Sequence, residues 1–439
     1  MNLFENYNIP EGIKTIYVSS STGNNRNDGS ISTPLKDLQK AIQEAPEGAV
    51  ILVAEGNYLG TLDQGFVVIN KYLSVYGGFA TDFSKRDIIN HKTIIQPGAN
   101  AGATNANHGL MDIYVRGQRE GKIVVDGIIF DKGQMNRYVS LNATDERFVA
   151  PEGVQSGHLN PPAKQIGQPS IGGAVTVSNQ LLHGDVEGKL TIRNCVFLNG
   201  SHFAIQMGII GGNFDISNNI FIANRMAACE IRGMNAKANE CSVDFHHNTV
   251  LFTWRRDWVP GDKDMGYGFR YMTGVDANVY NNIFGCNDFA ALDRTYVDSD
   301  KNKEALRKTS AWDNIFFGNI EADLTLPSGG GRFLRIFAKQ FEDVEQLVKY
   351  EGNREINEAE LQLLTNVIDQ AYLKAFMNIK GSTSTLYNPD SVENMARSIM
   401  GLNPRGTETN YVSMYGNLYR FDKFDKIFGA IEKYGAQIQ

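Results

Sequence analysis

The chain has 439 residues and carries 42 Lys and Arg against 49 Asp and Glu, which gives a formal net charge of −7. This mild acidity, without any Lys/Arg-rich run, argues against nucleic acid as a partner. No segment approaches the ~20 consecutive apolar residues that span a membrane, and the four cysteines are too few for a disulfide framework.

The first predicted element is a helix over residues 35–45. Leu35, Leu38, Ile42 and Ala45 fall on one stripe at helical spacing, which is typical of a helix that packs one face on a core. The 44 Gly, 24 Phe and 18 Tyr of the whole chain nevertheless favour short strands and turns over long helices.

The middle of the chain contains an internal repeat, a polar residue (often Asn) followed by two β-branched or aromatic apolar residues. The five copies end at Phe197, Phe221, Val250, Phe284 and Phe316. Their spacings of 24, 29, 34 and 32 residues are typical of solenoids, in which each repeat forms one coil. Asn tolerates left-handed backbone geometry and bonds to its neighbours in adjacent coils, so stacked Asn residues predict a turn between strands. His246 and His247 occupy this turn position in the third copy, which favours a structural role for both.

A second strand is predicted after each copy of the repeat. The eighth residue after each copy is apolar and the ninth is polar, once Phe269 and Arg270 are aligned across a longer insertion. Because strand side chains alternate between faces, the ninth residues form an outward polar ladder. This ladder consists of Gln206, Glu230, Arg270, Asp293 and Thr325. The segment 172–178 fits one coil earlier and would add Thr176.

The last hundred residues have a different, helical pattern. Helices are predicted over 342–347, 358–379 and 392–400, with 422–434 as a candidate fourth. We interpret residues 1–335 as one solenoid domain and residues 336–439 as a helical cap over the last coil and its unpaired strand edge. A separate binding module is the alternative for this segment.

Together these features resemble the right-handed parallel β-helix proteins of the pectate lyase-like superfamily. The sequence from Thr15 to Ser30 is similar to the opening strand and Asn/Asp/Gly turn of that family, and the sequence from Ile123 to Phe130 is similar to one of its coils. The resemblance covers about residues 14–325 and implies an all-β solenoid whose first coil is capped by the 35–45 helix. It also implies a substrate groove along one parallel sheet, where the ladder is expected.

The ladder contains charged residues that suit acid–base chemistry. Stacked strands lie about 4.8 Å apart, so Glu230 and Asp293 are expected roughly 9–10 Å apart across Arg270. This separation is at the edge of the range of about 6.5–9.5 Å that inverting glycosidases use to admit a water. Alternating charges also neutralise an exposed face, so a structural ladder is the alternative. The neighbouring substrate-binding candidates are Gln206, Arg232 and His202.

A charged and aromatic insertion interrupts the third repeat just before Arg270. Its candidate substrate-binding and catalytic residues are Trp254, Arg255, Arg256, Trp258 and Lys263. Trp and Arg suit sugar rings and carboxylates respectively, and a solvated, salt-bridged loop is the alternative. Related β-helix lyases use Lys or Arg as the base, which makes Lys263 and Arg270 candidates for that role. Many of these lyases also use calcium, for which the candidate ligands are Asp257, Asp262 and Asp264.

The sequence therefore favours a carbohydrate-active enzyme that cleaves an acidic polysaccharide or oligosaccharide. In a β-elimination lyase, Arg270 or Lys263 takes the proton; in an inverting hydrolase, Glu230 and Asp293 divide the acid and base roles. A non-catalytic glycan-binding or surface-structural β-helix is the alternative, and apart from calcium no cofactor is implied. The resemblance implies a secreted, periplasmic or cell-surface protein, although residues 1–10 lack the apolar core of a signal peptide, which leaves the cytoplasm open.

Overall fold

The structure is a computed structural model that describes residues 12–60, 66–96, 109–133, 152–156, 180–200, 202–234, 241–254, 266–271, 274–294, 309–329, 332–378, 392–404 and 417–437. Its strands pair mainly in parallel between successive coils, and the fold is the parallel β-helix that the repeat predicts. Within the described residues, no helix combines the length and the apolar character needed to cross a membrane.

The strands of the β-helix are short and recur with each coil. In chain order the first fourteen are β1 (Thr15–Val18), β2 (Val50–Ala54), β3 (Gly56–Tyr58), β4 (Val67–Ile69), β5 (Ser74–Phe79), β6 (Thr93–Ile95), β7 (Met111–Val115), β8 (Lys122–Asp126), β9 (Ile129–Asp131), β10 (Gln155–Ser156), β11 (Leu182–Arg193), β12 (Val196–Leu198), β13 (Ile205–Ser217) and β14 (Ile220–Ile222). The others are β15 (Ala227–Gly233), β16 (Cys241–His246), β17 (Thr249–Leu251), β18 (Tyr267–Tyr271), β19 (Asp276–Tyr280), β20 (Ile283–Gly285), β21 (Ala290–Arg294), β22 (Thr309–Trp312), β23 (Ile315–Phe317), β24 (Ala322–Gly329), β25 (Arg332–Ile336), β26 (Leu347–Lys349), β27 (Arg354–Glu355) and β28 (Asn417–Leu418).

These strands form three faces, which we call sheets 1, 2 and 3. Sheet 1 contains β4, β7, the first parts of β11 and β13, β15, β18, β21, β24 and the antiparallel β25. Sheet 2 contains β1, β2, β5, β8, the second parts of β11 and β13, β16, β19, β22 and β26. Sheet 3 contains β3, β6, β9, β12, β14, β17, β20, β23 and β27. The strands β10 and β28 form a separate antiparallel pair.

Strand β13 turns from sheet 1 into sheet 2 at a glycine. Gly212 has φ +122°, and a Cβ atom there would lie 2.1 Å from the carbonyl oxygen of Gly188 in the preceding coil. Only glycine avoids both the unfavourable backbone angle and this clash. The turn sets the angle between the two faces, and therefore the direction in which the outward residues of sheet 1 point.

The interior of the β-helix is a column of apolar side chains. Phe130, Phe197 and Phe221 stack in successive coils, with ring centroids 4.9 and 4.8 Å apart. Such stacking places identical side chains from each repeat on top of one another, which explains why the aromatic residue recurs in the sequence motif.

The Asn residues of the repeat form a ladder at the corner between sheets 2 and 3, which we call the corner ladder. Its members are Asn219, Asn248, Asn282, Asn314 and Asn353. Each of the first four donates its side-chain amide to the carbonyl oxygen of the next one, at 3.0, 3.2, 2.9 and 3.0 Å. The residue before the second member is His247, at φ +52°, so the predicted turn role of this histidine is confirmed.

The N-terminal helix α1 (Leu38–Glu44) is shorter than the predicted 35–45. Asp37 caps it by accepting the N–H of Gln39 at 2.8 Å. Leu38, Ala41 and Ile42 are buried in the main core, so the predicted apolar stripe is the one that packs.

The described residues of the C-terminal region from residue 358 onward lie against the outer face of sheet 3, and only the part before them closes the last coil. Helices α2 (Glu358–Val367) and α3 (Gln370–Met377) share one apolar cluster with outward residues of sheet 3, among them Ile220, Leu251 and Ile315. Tyr419 N–H donates to Asn199 Oδ1 at 2.8 Å, and Gln437 N–H donates to Asn218 Oδ1 at 2.6 Å. Central strands of sheet 3, such as β12 and β14, are apolar on both faces, so their outer face needs a cover.

The end of the solenoid and the helix boundaries also differ from prediction. A 3₁₀ helix (Ala338–Asp343) and β26 close the last coil in place of a helix over 342–347, and β27 carries the β-helix past residue 335 to Glu355. The helix predicted over 358–379 is divided, because Asp369 caps α3 by accepting the N–H of Tyr372 at 3.1 Å. The helix α4 (Val392–Ile399) matches the prediction over 392–400, whereas 422–434 contains two short 3₁₀ helices, Phe421–Lys423 and Asp425–Ile427.

Candidate functional site

One line of polar residues runs across the outer face of sheet 1, and we call it the outer ladder. The strand register aligns Asp112, His183, Gln206, Glu230, Arg270, Asp293, Thr325 and Arg335. The predicted alignment from Gln206 to Thr325 is the one observed. Thr176, predicted one coil earlier, lies outside the described residues. In the observed register, His183 occupies the position before Gln206.

Glu230 is held by three neighbouring side chains. It accepts the side-chain amide of Gln206 at 2.8 Å and the Nε of Arg232 at 2.7 Å. Its second oxygen lies 3.6 Å from Arg270 Nη1. Charge-assisted bonds of this kind are shorter and stronger than neutral ones, so Glu230 is fixed in one orientation by its neighbours. Arg232, two residues further along the same strand, lies beside Glu230 on the outer face, as predicted.

Arg270 and Asp293 continue the chain of contacts. Arg270 Nε lies 3.1 Å from Asp293 Oδ2, while Thr325 donates its hydroxyl to Asp293 Oδ1 at 2.5 Å. The guanidinium carbon of Arg270 also lies 5.3 Å from the ring centroid of Tyr267, within reach of a cation–π contact. One guanidinium therefore stands between two carboxylates, in the order that the sequence predicts.

The centre of the outer ladder is buried rather than solvated. The side chains of Glu230 and Asp293 are 3% and 8% exposed, and that of Arg270 is 13% exposed. Beside them lies an apolar cluster that includes Tyr267, Phe289 and Phe333. The alternative of a ladder that only neutralises an exposed face does not fit this burial. Buried charges of this kind persist only when they are paired, which is what the contacts show.

The N-terminal end of the outer ladder is open to solvent and contains a pair of residues that the sequence analysis did not consider. The hydroxyl of Tyr114 lies 2.9 Å from His183 Nδ1, and Asp112 Oδ1 lies 3.8 Å from the same nitrogen. Tyr114 is 41% exposed and Asp112 is fully buried. Burial, together with the charges of Asp112 and Asp185, raises the pKa of Tyr114 to about 12.

Two further predicted site residues are buried in apolar surroundings. Trp254 is only 2% exposed, and its indole N–H donates to the carbonyl oxygen of Ala223 at 3.3 Å. Because its ring is packed in the cluster beneath the C-terminal helices, Trp254 presents no surface for a sugar, which corrects the prediction. His202 is also buried and packs edge-on against Phe203 at 4.7 Å.

The remaining predictions cannot be placed on the fold. The residues Arg255, Arg256, Asp257, Trp258, Asp262, Lys263 and Asp264 lie outside the described residues. Among the residues that the structure does describe, no three His, Cys, Asp or Glu side chains are arranged to hold a metal ion. Calcium therefore stays a prediction of the sequence.

Comparison with known proteins gives a family match and several structural likenesses. Residues 21–124 match the model of a family described as a protein of unknown function (DUF1565). Comparison with the curated proteins finds no match. Among solved structures, pectate lyase Pel9A is similar at 11% identity and a TM-score of 0.38, covering 79% of this chain and 80% of that chain.

Two other solved structures are similar at the same level. The pectin methylesterase from Aspergillus niger, in its deglycosylated form, has 12% identity and a TM-score of 0.34, with coverage of 80% of this chain and 88% of its own. A rhamnogalacturonan lyase has 12% identity and a TM-score of 0.30, with coverage of 89% and 99%. The parallel strand pairing confirms the predicted parallel β-helix fold.

Proposed function

We propose that this protein is a carbohydrate-active enzyme that cleaves an acidic polysaccharide along the outer face of sheet 1. The observation that carries the proposal is the arrangement of Glu230, Arg270 and Asp293, in which one guanidinium stands between two carboxylates on successive strands. A structural ladder needs only repeating neutral groups, as the corner ladder demonstrates. Three different ionisable residues at equivalent positions of three coils are better explained by selection for chemistry or binding.

The outer ladder supports both of the predicted chemistries, with different roles for its members. Glu230 and Asp293, separated by two strand spacings or roughly 9–10 Å, suit the acid and base of an inverting hydrolase. Arg270 suits a positioning role better than that of a base, because a guanidinium stays charged in proteins and here contacts two carboxylates. In a β-elimination lyase the base would therefore be another residue, such as Lys263.

Non-catalytic glycan binding is the second candidate, and the burial of the outer ladder favours it. A catalytic carboxylate has to reach the scissile bond, whereas Glu230 and Asp293 are closed in by their neighbours. A binding protein would use the exposed rim, including Arg232 at 44% exposure, and leave the buried ladder as a support. Under either proposal we expect a protein that meets its polymer outside the cytoplasm.

The test is a screen of the full chain against polygalacturonate, alginate and hyaluronate, with and without calcium. Unsaturated uronates are followed by ultraviolet absorbance and new reducing ends by a colorimetric assay. The proposal predicts products from at least one polymer. Unsaturated products would establish elimination, and reducing ends without them would establish hydrolysis. Binding without products would favour the non-catalytic candidate, and the absence of both binding and products would overturn the proposal.

Variants of the ladder make this test specific to the site. Glu230→Gln and Asp293→Asn are expected to lower kcat/KM by about 10²–10⁴-fold, the usual contribution of a positioned acid or base. The matched control is Asp244→Asn on sheet 2, a carboxylate that accepts a side-chain amide from Asn278 at 2.8 Å in an equivalent strand position. The control should keep wild-type turnover. Equal losses in all three variants would point to a general loss of structure instead.

A further inference from the structure

We propose that the open end of the outer ladder is a proton-transfer site, with Tyr114 as the catalytic residue, which cleaves uronate-containing chains by β-elimination. The inference rests on the proposed function and selects its elimination branch. It assigns the catalytic step to the pair formed by Tyr114 and His183 and not to the buried centre of the outer ladder. The exposed rim of the centre, which includes Arg232 at 44% exposure, then contacts more distant sugar units.

Access to solvent is the first argument for this assignment. Tyr114 is 41% exposed and lies on β7, whereas Glu230 and Asp293 are almost completely covered. Two residues further along the chain, the side chain of Arg116 is 67% exposed, and Arg232, three strands away on the same outward row, is 44% exposed. A polymer can therefore reach the phenol without any rearrangement of the sheet.

The hydrogen bond between Tyr114 and His183 is the second argument. A phenol with a pKa raised to about 12 keeps its proton in the resting protein, so it needs a proton acceptor to become a base. His183 Nδ1, 2.9 Å from the hydroxyl, is such an acceptor. Asp112 Oδ1, at 3.8 Å from the same nitrogen, would stabilise the imidazolium that forms. His183 and Asp112 thus act through Tyr114 as positioning residues.

Charge on the surrounding surface identifies the ligand class. Arg116 lies 3.6 Å from Asp185, which the register places directly opposite Tyr114. A second cation, Arg232, lies on the same outward row two strands beyond Asp185. Arg binds carboxylates with directed hydrogen bonds, so these two residues suit a saccharide with a carboxylate on each reacting unit. Tyr114 and Glu230 are three strand spacings apart, or about 14 Å, so one sugar ring cannot contact both and the ligand has to be a chain.

The reaction needs no co-reactant. Tyr114 passes its phenolic proton to His183 Nδ1, and its oxygen takes the proton from the carbon next to the uronate carboxylate. The electron pair of that C–H bond forms the carbon–carbon double bond, and the bond to the glycosidic oxygen breaks with its electrons on oxygen. Tyr114 then gives the abstracted proton to this oxygen, and His183 returns its proton to Tyr114. The products are an unsaturated uronate and a new reducing end.

The test compares Tyr114→Phe and His183→Gln with two control variants on the full chain. Tyr17→Phe removes the hydroxyl of a half-buried tyrosine on sheet 2, and His91→Gln removes a histidine that lies 3.1 Å from Glu55, away from the ladder. We expect kcat for unsaturated product to fall by about 10²–10⁴-fold in Tyr114→Phe and His183→Gln, with KM nearly unchanged. Both controls should behave as wild type.

The pH profile distinguishes proton transfer from a structural role. Among the described residues, the titratable and charged groups that face His183 are Asp112 and Tyr114 on β7 and Asp185 on its own strand, while β13 contributes the neutral Gln206. A protonated imidazole cannot accept the phenolic proton, so we expect wild-type kcat to fall at acidic pH. His183→Gln should remove this decrease in kcat at acidic pH, whereas a variant that only perturbs the fold would retain it.

Failure of this inference can be separated from failure of the proposed function. Reducing ends without unsaturated product, or Tyr114→Phe turning over at the wild-type rate while Glu230→Gln is impaired, would overturn the inference and leave the proposed function standing. No product from wild type with any of the three polymers would overturn both. Unsaturated product that depends on Tyr114 and His183, with the expected change in pH profile, would support both.

Discussion

The corner ladder and the outer ladder run along the same β-helix and follow the same coil spacing, but they differ in composition. The corner ladder consists of one residue type, is neutral, and bonds each amide to the next. The outer ladder from Gln206 to Thr325 uses a different residue in each coil and alternates charge. The stability of a solenoid depends on equivalent residues stacking from coil to coil. The outer ladder does not repeat one residue type in this way, and we therefore assign function to its face.

The largest expected effect on stability is at the corner ladder. Asn248→Ala removes an amide that accepts the backbone and side-chain N–H groups of Asn219 at 3.0 Å each and donates to Ile216 at 2.8 Å. Because the unsatisfied groups stay buried, we expect the free energy of unfolding to fall by about 3 kcal/mol. Urea titration measures the change. Asn278→Ala, on the half-buried outer face of sheet 2, is the control, and an equal loss there would contradict a special role for the corner.

The next largest effect is a pH dependence at Asp131, at the end of β9. Burial raises its pKa to about 6, although the Gly133 N–H and Asn199 counteract part of that shift. The folded protein therefore holds a proton that the unfolded chain has lost between about pH 4 and pH 6, so this group's stabilising contribution is lost as pH rises through that window. Asp131→Asn should gain stability relative to wild type between pH 4 and pH 7, on the order of 2 kcal/mol. A difference that does not change with pH would refute this account.

His247 should show the opposite sign and a smaller effect. Burial and the charge of His246 lower its pKa to about 4, so its contribution to stability is lost as pH falls from the usual histidine range toward 4. His247→Asn replaces it with the residue found before the corner ladder in neighbouring coils, at Asn218 and Asn281. A shift of this size corresponds to about 3 kcal/mol for a fully buried group. Because His247 is only half-buried and partly screened by solvent, we expect this variant to lose less stability than wild type on acidification by about 1 kcal/mol. Unfolding titrations of both proteins at pH 4.5 and 7 provide the measurement, and an unchanged dependence would argue against the assignment.

The repeated parts of the fold could be predicted from sequence, because each coil presents the same residues in the same order. The Asn turn and the alignment of Glu230, Arg270 and Asp293 follow from one motif and one offset. The strand with His183 could not be placed in this way, because the sequence between Phe130 and Leu182 contains a long non-repeating stretch. The sequence of this strand nevertheless alternates, and that alternation could have located it. Leu182, Gly184 and Val186 lie on one face, and His183 and Asp185 lie on the other.

Packing outside the coils was harder to predict. Trp254 was interpreted as exposed because it begins a charged insertion, but composition alone does not distinguish a ring on a surface from one beneath a helix. The position of the C-terminal helices could have been inferred more directly from the sequence. Central strands of sheet 3, such as Val196–Leu198 and Ile220–Ile222, are apolar at every position, which indicates that both of their faces are covered.

The most direct test of the central claim replaces the charged centre of the outer ladder by apolar residues. In the triple variant Glu230→Met, Arg270→Met and Asp293→Leu, no buried charge loses its partner within this group, and such replacements are often neutral or stabilising. We predict that its free energy of unfolding stays within about 1 kcal/mol of wild type, while turnover and polymer binding are lost. A variant that fails to fold, or one that folds and still processes the polymer, would contradict the assignment of this face to function.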